Sequence, residues 1–168
     1  MRRKLGAGRR GVLELPSQLV ITIIIMAVTA SVGFGALSSY SRDAVDKRLR
    51  QQAEAVTAAA ERLDSMGTGS TLKLEIGLEN APLEKVQYFK VGHPLGRPLH
   101  PYSAMVRFKA ASAPEGHVYA RDAGGNPLPL CSPSGGALEL GAGSHRLVLT
   151  RLYSDTLGTA FIRCEVQR

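Results

Sequence analysis

The chain is 168 residues long and carries 21 basic against 14 acidic residues, a formal net charge of +7, with no tryptophan and only 5% aromatic residues. Allowing for a membrane stem, that length leaves about 100 residues for a globular part, room for one small domain and too little for two. Arg2, Arg3, Lys4, Arg9 and Arg10 account for five of the positive charges; removing them from the 21 leaves 16 basic residues against 14 acidic, a balance of +2 that argues against a nucleic-acid surface.

The first eleven residues, MRRKLGAGRRG, are too basic and glycine-rich to pack and read as a leader. Val12-Leu13-Glu14-Leu15-Pro16 follows, an apolar start interrupted by one carboxylate. From Leu19 to Leu37 the chain then runs nineteen residues, LVITIIIMAVTASVGFGAL, without a charge. A helix of that length rises about 28 Å, close to the ~30 Å hydrocarbon thickness of a bilayer. The basic residues ahead of it place the N-terminus in the cytoplasm and the rest of the chain outside. A removable secretory signal shares this order, but its apolar core spans only about 7–15 residues before a small-x-small cleavage site. Here the run is longer, Ala30 and Gly33 fit such a site only loosely, and the apolar run passes into a helical pattern.

This arrangement resembles the class III signal peptides of type IV pilins, in particular the pilin-like proteins of archaea. The resemblance rests on the short basic leader ending Arg10-Gly11, the acid a few residues on, and the hydrophobic helix directly behind it. It implies that a prepilin peptidase cuts between Gly11 and Val12 and leaves the apolar segment on the mature protein. It also implies a long half-hydrophobic helix ahead of a small β domain, self-association as a helical homopolymer with other pilins, and a role in adhesion. The family's acid is often the fifth mature residue, whereas Glu14 would be the third and Pro16 takes the fifth place.

On physical grounds a carboxylate at Glu14 is costly to bury unless paired, and the α-ammonium that cleavage creates on Val12 of a neighbouring subunit would be a suitable partner. The alternative is a carboxylate at the membrane surface near a helix N-terminus. Pro16 suits a first helical turn, whose N–H needs no partner. Ala27, Ser31 and Gly35 recur every four residues, a small-xxx-small ridge along which helices approach closely. Gly33 and Gly35 on either side of Phe34 would locally loosen the helix.

Ser41 to Met66 is rich in helix formers and free of Gly and Pro, so the helix should continue out of the membrane, about 76 Å from Pro16 to Met66. Val45, Leu49, Gln52, Val56, Ala59, Leu63 and Met66 form an apolar seam with one polar position, to be covered by the chain's own C-terminal domain or by helices of neighbouring subunits. Gly67-Thr68-Gly69-Ser70 ends the helix.

The remainder, residues 71–168, reads as β. Leu72, Leu74, Ile76 and Leu78 alternate strictly with Thr71, Lys73, Glu75 and Gly77. Further strands are expected at Lys85–Val91, at Tyr102–Ala110, whose alternate residues are apolar, and at His117–Arg121, with turns at Glu79–Pro82 and Asp122–Asn126. Gly92–Pro101 is a loop and Asn126–Gly136 a long Pro-rich connection. Ala137–Leu140 and His145–Tyr153 should form a hairpin across Gly141–Ser144, and Ala160–Val166 closes the chain. About seven short strands point to a small antiparallel β-sandwich-like domain behind a long N-terminal helix, an α+β fold.

Cys131 and Cys164 both lie in the part expected outside the cell, where a disulfide is favoured over a metal site; two buried free thiols are the alternative. His93, His100, His117 and His145 lack metal-ligand spacing, although His93 and His100 share a loop. There is no G-x-S-x-G nucleophile elbow and no phosphate-cradling loop, Asp155 and Glu165 are isolated acids, and nothing implies a catalytic residue or a cofactor. The low aromatic content argues against a stacking surface for sugar or nucleic acid, and Tyr102, beside the Pro-rich loop, reads as a core residue, with contact to a partner as the alternative. The expectation is a pilin-like structural subunit, processed after Gly11, held in the membrane by residues 19–37 and then assembled into a surface filament. The alternative is a single-pass anchored β domain that never polymerises, resembling archaellum stator components that bind the surface layer.

Overall fold

The computed structural model describes residues 11–96, 99–155 and 157–167, with side chains in the first helix from Ser17 onward. Helix α1 (Gly11–Met66) is 56 residues long. Behind it come β1 (Thr71–Leu78), β2 (Val86–Val91), a 3₁₀ turn (Pro101–Ala104), β3 (Met105–Ala110), β4 (Gly116–Tyr119), β5 (Leu130–Cys131), β6 (Leu138–Leu140), β7 (Gly143–Ser154) and β8 (Thr159–Gln167). The fold is α+β, as the sequence predicts.

Between Ser17 and Met66 there is no proline, and the two glycines, Gly33 and Gly35, leave the helical backbone unbroken. Each costs about 1 kcal/mol relative to Ala, too little to interrupt so long a run of helix formers. The helix ends where expected: Gly67 and Gly69 take φ values of 93° and 89°, open only to residues without a Cβ penalty. The chain divides into two compact units inside α1, Met1–Ser39 and Tyr40–Arg168.

In the second unit the helical part buries one stripe. Val45, Leu49, Ala53, Val56, Ala60 and Leu63 are at most 1% exposed and join the inward faces of both sheets in a single core. Burying each larger side chain of the stripe is worth roughly 1.5–3 kcal/mol. Ala53 takes the place expected for Gln52, and Met66, 51% exposed, lies beyond the seam. At the end of the helix Arg151 of β7 donates from Nε to Asp64 Oδ1 (2.8 Å) and from Nη1 to Thr68 Oγ1 (3.0 Å). The Gly69 N–H donates to the Arg151 carbonyl (2.8 Å), and the Arg151 N–H to the Ser70 carbonyl (3.0 Å). These bonds lock the helix terminus to β7, an interior strand of its sheet.

One sheet has the order β1-β7-β8-β5, the other β4-β3-β2-β6. Phe89, Val91, Val106, Phe108 and Ala110 are fully buried, the inward half of a period-two alternation. The sheets are antiparallel apart from the short parallel pairing of β5 with β8. Three expectations are corrected. First, β6 and β7 do not form a hairpin: β6 pairs with β2, β7 pairs with β1 and β8, and the glycine-rich link carries the chain from one sheet to the other. Second, the Pro-rich connection contains a strand, β5, because the Pro129 carbonyl accepts from Ile162 N–H (2.8 Å) and aligns Leu130–Cys131 beside β8. Third, β3 begins at Met105 rather than Tyr102, because Pro101 starts a 3₁₀ turn whose Tyr102 N–H donates to His100 Nδ1 (3.2 Å).

At the end of β2, Gly92 adopts φ 71° and a Cβ there would overlap the Leu130 carbonyl oxygen, so the two sheets approach through backbone at this point. Gly125, at φ 82°, faces open space. Gly92→Ala is therefore expected to cost at least about 3 kcal/mol, and Gly125→Ala about 1–2 kcal/mol. Urea denaturation of the two variants should show Gly92→Ala as the less stable; equal losses would contradict the close approach.

Candidate functional site

The apolar half of α1 is the first candidate. Its window of highest hydropathy has no buried share, and by length and composition the helix is a candidate membrane anchor. Leu19, Ile21, Ile24, Met26, Val32 and Phe34 are each more than half exposed within the chain. The hydroxyls here are satisfied internally: Thr22 Oγ1 donates to the Gln18 carbonyl (2.9 Å), Thr29 Oγ1 to Ile25 (2.8 Å) and Ser31 Oγ to Val28 (2.8 Å). Such bonds remove the polar cost of placing a hydroxyl in hydrocarbon. Ala27, Ser31 and Gly35 are helical, exposed and four residues apart, hence on one side of the helix, and Gly33 and Gly35 have nothing within 4 Å of an added Cβ. Arg10 lies outside the described residues. Gly11, Val12 and Glu14 belong to the first turns of α1, but their side chains lie outside the described ones.

The disulfide expected between Cys131 and Cys164 is absent, and both are buried free thiols. The register explains why. Leu130 pairs with Ile162 and Cys131 with Arg163, so Cys164 shares the face of Ile162 and Leu130 while Cys131 shares the opposite face with Arg163. Side chains on opposite faces of neighbouring strands do not meet in disulfide geometry. Burial pushes the Cys131 thiol up to about 11 against the opposing pull of Arg163, and burial followed by the proximity of Cys131 raises Cys164 further.

His93 and His100 come together as stacked rings with centroids 4.1 Å apart, and among the described residues no group of three or more His, Cys, Asp or Glu side chains could hold a metal ion. Tyr102 is not a core residue. It is 42% exposed and its ring lies 4.6 Å from the Arg107 guanidinium.

Tyr102 borders a cleft of about 250 Å³ on the outward face of the sheet β4-β3-β2-β6, lined also by Met105, Arg107, Glu115, His117 and Tyr119. Met105 pairs with Tyr119 and Arg107 with His117 across β3 and β4, which places all four on one face. His117 and Tyr119 meet edge to face at 5.4 Å, and Tyr119 is 45% exposed. Arg107 Nη1 stands 3.8 Å from Glu115 Oε1, too far for a hydrogen bond, and Arg107 Nε is buried without a partner among the described residues. Desolvation and then a hydrogen bond to Glu115 raise the Tyr88 phenol pKa. The sequence reading missed this group because it weighed the aromatic total and not its placement; the signal was the matching alternation Met105-x-Arg107 and His117-x-Tyr119.

Buried, protonated thiols are poor nucleophiles. At pH 8 iodoacetamide is expected to modify neither cysteine in the native state and both after denaturation without reductant; a denatured chain that stays unmodified would show a bridge. With Cys131 raised from about 9 to about 11, the unfolded state releases its proton first as pH rises, so the native state loses about 1.4 kcal/mol per pH unit per thiol between those values. Denaturation midpoints at pH 8 and pH 10 should fall accordingly, and less so in Cys131→Ser.

No protein-family model, curated protein or solved structure matches this chain.

Proposed function

We propose that this protein is a pilin-like structural subunit of an archaeal type IV-like surface filament, used in adhesion. In this reading a prepilin peptidase cuts between Gly11 and Val12, residues 19–37 hold the subunit in the membrane, and assembly then transfers that helix into a filament core coated by β domains. Glu14 pairs with the new α-ammonium of a neighbour, and the ridge Ala27, Ser31 and Gly35 brings helices close. The observation that carries the reading is the uncharged stretch Leu19–Leu37, wholly exposed on a helix that runs on without interruption into a domain's core, with the basic leader before it. Such a surface needs a cover of lipid or of other helices.

Two measurements test it. The N-terminal mass of protein recovered from sheared cell-surface material is expected to start at Val12; a chain that keeps its leader and stays in the membrane would instead favour the anchored domain that does not polymerise. Gly11→Val is expected to block processing and filament formation while the β domain stays folded, because the peptidase must fit a residue without a side chain at the cut. Normal filaments from that variant would remove the processing step from the reading.

A further inference from the structure

We infer that the cleft between Tyr102 and Tyr119 is a binding site for a neutral pyranose, the terminal or branch sugar of a surface glycan. Exposed rings supply flat apolar walls against which the C–H face of a sugar ring packs, and few other ligands combine that need with many hydroxyls. Arg107 and Glu115 supply the complementary polar pair. A vicinal diol accepts from the guanidinium and donates to the carboxylate, and at 3.8 Å Arg107 and Glu115 make no hydrogen bond to each other that a ligand would have to break. The buried Arg107 Nε, with no partner among the described residues, is the kind of unsatisfied donor that marks a functional position.

The charges choose between ligand classes. Arg107 and Glu115 cancel within the cleft, so a phosphate backbone or an acidic polysaccharide gains no net attraction there and meets a carboxylate. A volume of about 250 Å³ suits one ring and not a chain of them, and the open side leaves the rest of a glycan in solvent. Every lining residue belongs to the second unit, so the site stands whether or not the chain polymerises.

The test uses the full chain in a detergent without a sugar headgroup, titrated with the methyl pyranosides of glucose, galactose, mannose and N-acetylglucosamine. Binding is followed by saturation-transfer NMR and by tyrosine emission, which no tryptophan obscures. At least one glycoside is expected to saturate with Kd on the order of millimolar, as a ligand of about 13–16 heavy atoms allows. Tyr119→Ala and Arg107→Gln should each weaken it about ten-fold or more with an unchanged circular dichroism spectrum, while Lys73→Gln on the other sheet leaves it intact. No saturation at about 100 mM, or binding indifferent to Tyr119→Ala, would overturn the inference. Tighter, salt-sensitive binding of oligothymidylate or tetragalacturonate would overturn it too, as the mark of an anion surface.

Discussion

The burial of one helical stripe, Val45 to Leu63, is what the second unit depends on. Neither sheet could bury its inward face against water, and each is only four strands wide. With the stripe in place the inward residues of both sheets and the helix close into one core, down to fully buried Phe89 and Phe108. Along the stripe the small Ala53, Ala59 and Ala60 are interspersed with the larger Val45, Leu49, Val56 and Leu63, all of them buried. Arg151 then fixes the rotation of the helix: its side chain reaches Asp64 and Thr68, and its backbone joins the residues just past the helix end. A largely buried pair of this kind adds little net stability but penalises any other register, since Asp64 would lose its partner.

What the sequence made legible follows from periodicity. The long helix, its end at Gly67 and the strict alternation of Thr71–Leu78 could be read directly, because each is fixed by residues within a few positions of one another. What could not be read depends on partners far along the chain. Leu130–Cys131 is too short to carry a pattern and is a strand only because β8 lies beside it. Likewise Ala137–Leu140 and His145–Tyr153 look like a hairpin from their spacing, yet Leu138 and Leu140 have stronger claims on Val91 and Phe89 of β2.

The same contrast holds for the sites. The uncharged helix announces itself in a window of nineteen residues. The cysteine pair misled because two residues close in space lie on opposite faces of neighbouring strands, a one-residue offset that only the register reveals. Tyr102, Arg107 and Tyr119 are ordinary residues in sequence, and become a group only when β3 and β4 pair and a 3₁₀ turn swings Tyr102 over the guanidinium.

The internal hydrogen bonds of Thr22, Thr29 and Ser31 have a bearing on how the apolar helix meets its surroundings. Each hydroxyl is already spent on a carbonyl of its own helix, three or four residues back. The apolar surface therefore carries no free hydroxyl donor to lose in apolar surroundings and none to aim at a neighbour, so shape decides its contacts, the small residues Ala27, Ser31 and Gly35 included.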